Sequence, residues 1–201
     1  MAERIGIFGG TFDPPHLGHL ILASEACSQL RLTRLLWVLT PQSPHKQDQV
    51  ISNGADRLEM VRCAIADEPT FELSLIEFER PAPQYTIDTV LTIREKNPSA
   101  DIILLIGGDS LRSFATWRRP LDLIAACREI GVMHRPGESV HLYSLNSVLP
   151  GLQGKVRFVD TPLLEISSRE IRRRVAERLE YRYFLPPAVY DYIQAHHLYG
   201  A

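Results

Sequence analysis

The chain has 201 residues, of which 45% are hydrophobic and 23% are charged, close to the globular average of about 25% charged residues. This composition excludes a disordered, collagen-like or acidic-tail protein. The 22 basic and 24 acidic side chains give a net charge of −2, which argues against a protein that coats nucleic acid.

The cysteines and the apolar runs point to an intracellular protein. Cys27, Cys63 and Cys127 are odd in number and form no CxxC pair, which argues against a zinc site or a disulfide framework. Each lies in an apolar stretch, so we expect buried, reduced thiols. No signal-peptide core and no apolar stretch of about 18 residues occurs. We therefore expect a soluble, cytoplasmic protein without membrane contacts.

Predicted strands and helices alternate along the chain. A short β-type run over 4–8 ends at Gly9-Gly10. Apolar positions at helical spacing predict a helix over 17–30, and consecutive apolar residues predict a buried strand over 35–39. The polar segment 41–54 is predicted to be a long loop of the kind that often carries function. The next predicted elements are a helix over 55–66, strand or irregular structure over 71–78, a helix over 86–96, a strand over 102–106, short helices around 111–114 and 121–126, and a strand over 129–134.

The last third of the chain is predicted to be loop-rich over 135–154, with a short helix, and to form a strand over 156–159. A serine at 167 or 168 begins a helix to about 179, and Pro187 begins one to about 197. This alternation predicts an α/β fold, a Rossmann-like doubly wound parallel sheet with helices on both faces. We expect one domain, 1–201, in which 165–201 forms a C-terminal helical part. Ligands of such sheets bind beyond the carboxyl ends of the strands.

The segment 9–19 reads GGTFDPPHLGH and lies between the first strand and the first helix. Its glycines let the main chain approach a ligand, and the helix N-terminus offers N–H groups to a phosphate. His16 and His19 are one helical turn apart, so both rings project to one side, where they can bind phosphate oxygens and become charged. Gly18 leaves room for a base or ribose. The alternative is a pair of ordinary helix-start histidines.

The segment 165–174 reads EISSREIRRR and carries four arginines within six residues. A serine at the helix start either caps the helix or leaves that end free for an anion. Arg169 and Arg172 share a helix face, while Arg173 and Arg174 point elsewhere. The alternative is a solvated basic helix with a serine cap.

Three further side chains are candidates for ligand contacts. Asp109 follows Gly107-Gly108 after a buried strand, where a carboxylate accepts hydrogen bonds from ribose hydroxyls, helps to hold a metal or caps a helix. Trp117 either stacks on a planar ring or packs against the protein. Lys46 in the long loop is either a mobile phosphate ligand or a surface lysine, and its sequence context alone favours a surface lysine.

Together these motifs resemble the HxGH nucleotidyltransferase superfamily and, more narrowly, the bacterial nicotinate-nucleotide adenylyltransferases. GGTFDPPHLGH and ISSREIR match the N-terminal and ISSTxxR motifs of that family. The other matching segments are PHK at 44–46, YTIDT at 85–89, IGGDS at 106–110, TWRRP at 116–120 and LPPAVYDYI with LY at 185–199. The match spans the chain in order. Arg169 stands where the family has threonine, and Gln84 where it often has serine.

The resemblance implies transfer of AMP from ATP to nicotinate mononucleotide, giving nicotinate adenine dinucleotide and pyrophosphate in NAD biosynthesis. It implies Mg²⁺ as cofactor, held mainly by the ATP phosphates and water, with no metal site of the protein's own. The residue roles that it implies are catalysis by His16 and His19, ATP binding by Gly9, Gly10, Thr11, Phe12, Gly107, Asp109, Ser168 and Arg172, and mononucleotide binding by Lys46, Thr86 and Trp117.

Two alternatives stay open. One is a transferase of the same superfamily that acts on nicotinamide mononucleotide or another phosphorylated acceptor. The other is a non-catalytic nucleotide-binding module, against which the intact pair His16 and His19 argues. A dehydrogenase is disfavoured because GxGxxG is missing. The expected partners are small molecules and not nucleic acid, and a homo-oligomer is left open.

Overall fold

The computed structural model describes residues 2–41, 51–134, 142–162 and 164–201. Six strands form one parallel sheet in the order β3-β2-β1-β4-β5-β6. The strands are β1 (Arg4–Gly10), β2 (Arg34–Leu39), β3 (Phe71–Ser74), β4 (Asp101–Gly107), β5 (Glu129–His134) and β6 (Val156–Asp160). The predicted Rossmann-like α/β fold is confirmed.

Helices connect these strands. They are α1 (Leu17–Leu30), α2 (Gly54–Ile65), α3 (Thr86–Lys96), α4 (Gly108–Arg112), α5 (Pro120–Ala126), α6 (Leu142–Val148), α7 (Leu152–Lys155), α8 (Ser168–Ala176) and α9 (Pro187–Ala195). Within the described ranges, no helix is both long enough and apolar enough to cross a membrane.

The sheet is covered on both faces, because successive side chains of a strand point to opposite sides. In β2, Leu36 and Val38 pack with α3 and α5, whereas Leu35 and Trp37 pack with α1 and α2. Both faces of β2 are therefore apolar, which explains its run of consecutive apolar residues.

The C-terminal helices pack on α2 and not on the sheet. Met60 of α2 is fully buried against Ile171 of α8 and Val189 and Ile193 of α9. This third apolar cluster holds the region after β6 close to the start of α1.

The strand order reverses between β1 and β4, which lie side by side in the middle of the sheet. In doubly wound sheets this reversal opens a crevice outside the carboxyl ends of the two strands. Gly9 and Gly10 end β1 and Gly107 ends β4, so these three of the sequence-predicted site residues lie at this crevice.

Two predictions about local structure need correction. The segment 71–78, predicted to be strand or irregular structure, is a strand as far as Ser74 and is irregular beyond it, as expected, but the helix expected to reach about 179 ends at Ala176. Cys127 is buried, but Cys27 and Cys63 are only half-buried, so the expectation of three buried thiols is wrong for two of them. Both lie at the border of the apolar face of their helices, a position that apolar neighbours in the sequence do not reveal.

Candidate active site

A cleft of about 600 Å³ lies at the carboxyl ends of β1 and β4. Of the sequence-predicted residues, it is lined by Gly9, Gly10, Thr11, Thr86, Gly107, Asp109 and Trp117. A Cβ atom added at Gly9 or Gly107 would meet no atom within 4 Å. Both strand ends therefore border open space, and a ligand can lie directly against their main chain.

Phe12 lies beneath this cleft, in the core. Its ring is buried and packs 5.0 Å from the ring of Trp37, and its backbone has a left-handed φ of 47°. A Cβ atom at Gly10 would lie 2.7 Å from the Phe12 ring, so glycine is required there for packing. Because the Phe12 side chain fills the core, only its main chain can contact ATP, and its ATP-binding role stays a prediction.

The two histidines lie at the N-terminus of α1, and their rings stack with centroids 3.7 Å apart. The prediction that both project to one side is confirmed. The main-chain N–H of His16 donates to Nδ1 of His19 over 3.2 Å. Since Nδ1 accepts this hydrogen bond, a neutral His19 ring carries its proton on Nε2, where it can be donated to a phosphate oxygen.

His16 is only 5% exposed, and within the described residues its Nδ1 atom has no hydrogen-bond partner. Burial lowers its pKa to about 4, so the ring is neutral at pH 7 in the free protein. A Cβ atom at Gly18 would lie 3.0 Å from this Nδ1. The glycine therefore makes room for the His16 ring, and the expectation that it makes room for a base or ribose is wrong.

The buried His16 ring should make folding stability depend on pH. Its pKa is 6.5 in the reference state and about 4 in the fold, so the unfolded chain binds more protons between these values. The free energy of unfolding should therefore fall by about 3 kcal/mol as pH decreases from 6.5 to 4. Urea unfolding measured between pH 6.5 and pH 4 should show a smaller fall in the free energy of unfolding for His16→Asn than for the wild type. A matched change at the exposed His196 should keep the full loss, and identical slopes for wild type and His16→Asn would contradict the assignment.

The helix α8 contacts the GGTFDPPHLGH turn directly. Ser167 caps α8 by accepting from the N–H of Glu170 over 3.2 Å. The Ser168 hydroxyl donates to the carbonyl of Pro14 over 2.8 Å, and Nη1 of Arg172 donates to the carbonyl of Asp13 over 2.6 Å. The fold thus brings the two motifs together. His16, His19, Ser168 and Arg172 lie outside the lining of the cleft, on the side of the turn towards α8.

The other arginines of α8 behave differently from Arg172. Arg173 and Arg174 pair with Glu170, and the hydrogen bond from Arg173 lowers the pKa of that carboxyl to about 2. Arg169, which replaces the family's threonine, is exposed. Arg174 is half-buried, and its guanidinium lies over the ring of Phe184. The solvated-helix alternative is therefore right for Arg173 and wrong for Arg172.

The opposite end of the cleft is formed by α3 and the segment after α4. Within the described residues, no side chain caps α3, whose first residue is Thr86. Trp117 is half-buried and stacks on Phe114 with ring centroids 5.0 Å apart. Asp109 lies in the first turn of α4, where it pairs with Arg112, and the residue at the N-cap position is Gly107. Lys46 lies outside the described residues.

The same end contains buried acceptor oxygens that the sequence does not reveal. Glu77 Oε1 accepts from the hydroxyl of Thr89 over 2.7 Å, and the amide nitrogen of Gln84 donates to the carbonyl of Arg80 over 3.1 Å. Glu77 Oε2 and Gln84 Oε1 have no partner among the described residues, and both side chains line the cleft. This wall therefore offers acceptors, in contrast to the N–H groups of α3.

Arg57, which is 2% exposed, is a third residue missed from the sequence, after Glu77 and Gln84. Its guanidinium donates to four main-chain carbonyls, those of Thr11 (3.0 Å), Thr40 (2.7 Å), Pro41 (2.9 Å) and Ser52 (3.0 Å). Burial lowers its pKa from the usual arginine value. Arg57 thereby fixes the turn after β1 to the end of β2. Its spacing of three and four from the buried residues Met60 and Val61 is the signal that could have identified it.

Asp13 is a fourth such residue, 3% exposed, within the turn itself. Its Oδ1 atom accepts from the hydroxyl of Tyr199 over 2.6 Å, and Oδ2 accepts from the N–H of Ser52 over 3.2 Å. Oδ2 also lies 3.9 Å from Nη1 of Arg172. Burial raises the pKa of Tyr199, so its hydroxyl remains protonated and donates.

The sequence matches the cytidylyltransferase-like family over residues 7–174. It is 41% identical to a probable nicotinate-nucleotide adenylyltransferase of Thermomicrobium roseum, over 98% of this chain and 92% of the relative. It is 39% identical to one of Bacillus pumilus, over 98% of both chains. The fold is similar to that of Plasmodium falciparum nicotinic acid mononucleotide adenylyltransferase complexed with NaAD, with a TM-score of 0.78, 20% identity and coverage of 98% of this chain and 97% of that one. The chain therefore belongs to the cytidylyltransferase-like family and, within it, to the nicotinate-nucleotide adenylyltransferases.

Proposed function

We propose that the protein transfers the adenylyl group of ATP to nicotinate mononucleotide and releases pyrophosphate. The observation that carries the proposal is the arrangement at the strand-order reversal, where glycine-bordered strand ends, the start of α3 and the histidine-bearing turn meet. The relatives named for this reaction support it. The proposal also includes a cytoplasmic location and a single domain. The helices α8 and α9 are part of that domain because they pack on α2.

The reaction requires no protein nucleophile. A phosphate oxygen of the mononucleotide attacks the α-phosphorus of ATP, and the bond from that phosphorus to the oxygen bridging to the β-phosphate breaks. The protein has to bring two anions together and stabilise the charge that develops on the phosphates. Neutral donors at a helix N-terminus and a guanidinium suit this task.

We assign the triphosphate to the turn between β1 and α1, with His16, His19, Ser168 and Arg172 as donors. The main chain at Gly9, Gly10, Thr11, Phe12 and Gly107 and the carboxylate of Asp109 would contact the rest of ATP. The mononucleotide would bind with its pyridine ring against Trp117 and Thr86, and with its phosphate near Lys46. What supports this division is that Thr86 and Trp117 line the cleft, whereas the four donors lie outside its lining, on the side of the turn towards α8.

Mg²⁺ is also part of the proposal. Among the residues that the structure describes, the cleft offers one exposed carboxylate, that of Asp109. The ion usually binds through one or two carboxylates together with substrate phosphates and water, so this donor set fits an ion that arrives with ATP. Within the described ranges, no group of three or more histidine, cysteine or acidic side chains is placed to hold a metal. When bound, Mg²⁺ supplies neutralisation of the phosphate charge.

A pyrophosphate-release assay tests the proposed function. With ATP, Mg²⁺ and nicotinate mononucleotide, we expect one pyrophosphate for each nicotinate adenine dinucleotide formed. A nucleotide-binding module would bind ATP without releasing pyrophosphate, and that result would overturn the proposal. Omitting the acceptor is the control, since hydrolysis of ATP alone also yields pyrophosphate.

Arg172→Ala should raise the KM for ATP by about tenfold or more, because a charged hydrogen bond to phosphate contributes about 1.5–3 kcal/mol. The KM for the mononucleotide should stay within a few-fold. Arg173→Ala is the matched control on the same helix, since Arg173 pairs with Glu170. Initial-rate kinetics with each substrate varied in turn decide the matter, and equal increases in both KM values would count against a phosphate role for Arg172.

A further inference from the structure

We propose that Tyr199 is a positioning residue for ATP binding, because it occupies Asp13 and so keeps Arg172 free to bind phosphate. The inference rests on the proposed function, which assigns Arg172 to the triphosphate. Tyr199 lies at the end of the chain, 186 residues from Asp13, and does not line the cleft.

The turn assigned to the ATP triphosphate contains a carboxylate of its own, that of Asp13. Asp13 lies three residues before His16, and its buried charge would oppose a phosphate bound at the turn. Both of its oxygens are instead engaged, Oδ1 by the Tyr199 hydroxyl and Oδ2 by the N–H of Ser52. These two hydrogen bonds stabilise the buried carboxylate.

Arg172 is bound to the main chain of the same turn, because its Nη1 donates to the carbonyl of Asp13 over 2.6 Å. The same nitrogen lies 3.9 Å from Asp13 Oδ2, too far for a hydrogen bond. The arginine is therefore held beside the turn by a neutral acceptor, without a tight ion pair that an incoming phosphate would have to break.

Removing the Tyr199 hydroxyl would leave Oδ1 of a buried carboxylate without its donor, and a buried charge without a partner is strongly unfavourable. Among the contacts of Asp13, the nearest cationic group is the Arg172 guanidinium. A shift of about 1 Å in their 3.9 Å separation would form a direct, hydrogen-bonded ion pair. ATP would then compete with Asp13 for Arg172.

The test is the affinity for ATP, measured by equilibrium dialysis with Mg²⁺ and without acceptor. Tyr199→Phe should weaken binding by about five- to tenfold. The chain contains a matched control in Tyr192, another half-buried tyrosine of the C-terminal region, whose hydroxyl donates to Asp56 on α2 over 2.9 Å. Tyr192→Phe should lower thermal stability to a similar extent and leave ATP affinity within about twofold.

Two further variants separate positioning from general destabilisation. Asp13→Asn added to Tyr199→Phe should restore most of the lost affinity, because a neutral amide does not recruit Arg172. Tyr199→Phe added to Arg172→Ala should cause no further loss, since both changes act through one guanidinium.

Wild-type ATP affinity in Tyr199→Phe, failure of Asp13→Asn to restore it, or full additivity with Arg172→Ala would each overturn the inference. Unchanged affinity in Arg172→Ala would overturn the phosphate role of Arg172 and the inference with it. Because the assay contains no acceptor, none of these outcomes decides whether the enzyme adenylylates nicotinate mononucleotide, which the pyrophosphate assay settles separately.

Discussion

Replacing His19 by alanine should reduce kcat by a factor of about 30 to 1,000, equivalent to about 2–4 kcal/mol of transition-state stabilisation. The ring is oriented by the hydrogen bond from the main chain of His16 and by stacking on the His16 ring. We therefore expect its other nitrogen, Nε2, to donate to the phosphate on which charge develops. A donor fixed before the reaction stabilises that charge without having to reorganise.

The fold should tolerate this change. His19→Ala removes one hydrogen bond at the start of α1, so we expect the free energy of unfolding to fall by about 1 kcal/mol. Steady-state rates at saturating ATP, Mg²⁺ and acceptor measure kcat, and thermal unfolding measures the stability. His196→Ala, at an exposed position, is the control for loss of an imidazole. Turnover near the wild-type value in His19→Ala would rule out its catalytic role.

The second large effect concerns the choice of acceptor. We expect kcat/KM for nicotinate mononucleotide to exceed that for nicotinamide mononucleotide by at least about 10²-fold, or about 2.7 kcal/mol. The two differ by a carboxylate, which only accepts hydrogen bonds, and a carboxamide, which also donates two hydrogens. The start of α3 at Thr86 presents the positive end of the helix dipole and N–H groups that no described side chain caps, and both favour the carboxylate.

Glu77 and Gln84 make this experiment decisive, because their oxygens without a partner among the described residues would favour a carboxamide if the ring substituent faced them. Thr86→Val should reduce the preference for the nicotinate form and leave ATP binding intact. Gln84→Ser, which replaces the amide by a shorter hydroxyl that does not extend as far into the same cleft, should preserve the preference. Equal efficiencies for both acceptors in the wild type would show that the substituent is not bound by Thr86 and α3.

The sequence predicts the sheet well because its strands are covered on both faces. Runs of consecutive apolar residues at 35–39 and 102–106 coincide with β2 and β4, and the alternation with helices then yields the parallel fold. Helix ends are predicted less well. Leu179 continues the apolar pattern of α8, yet the helix stops at Ala176 and Arg178 adopts a left-handed φ of 55°. No glycine marks this stop, so the pattern alone overruns it.

Sequence reasoning identifies contacts between residues that are close along the chain and misses contacts between residues that are far apart in it. The stacked histidines follow from a spacing of three residues on one helix. The bond between Asp13 and Tyr199 joins the two ends of the chain, and no periodicity relates residues so far apart. The two roles of the neighbouring serines, Ser167 as the cap and Ser168 as a donor to the turn, likewise depend on tertiary packing.

Because Arg57 binds only main-chain carbonyls, the side chains at the rim of the cleft can be substituted more freely than the backbone path there can change. The acceptors of its hydrogen bonds are carbonyl groups at positions 11, 40, 41 and 52, which every amino acid possesses. Side chains at these positions can therefore be exchanged without loss of an acceptor, provided that the backbone path is kept. Lysine at 57 could not take over, because it carries its donors on a single nitrogen and lacks the planar fork of arginine. Loops with other substrate preferences could thus be grafted onto this edge of the sheet while one internal side chain continues to set their geometry.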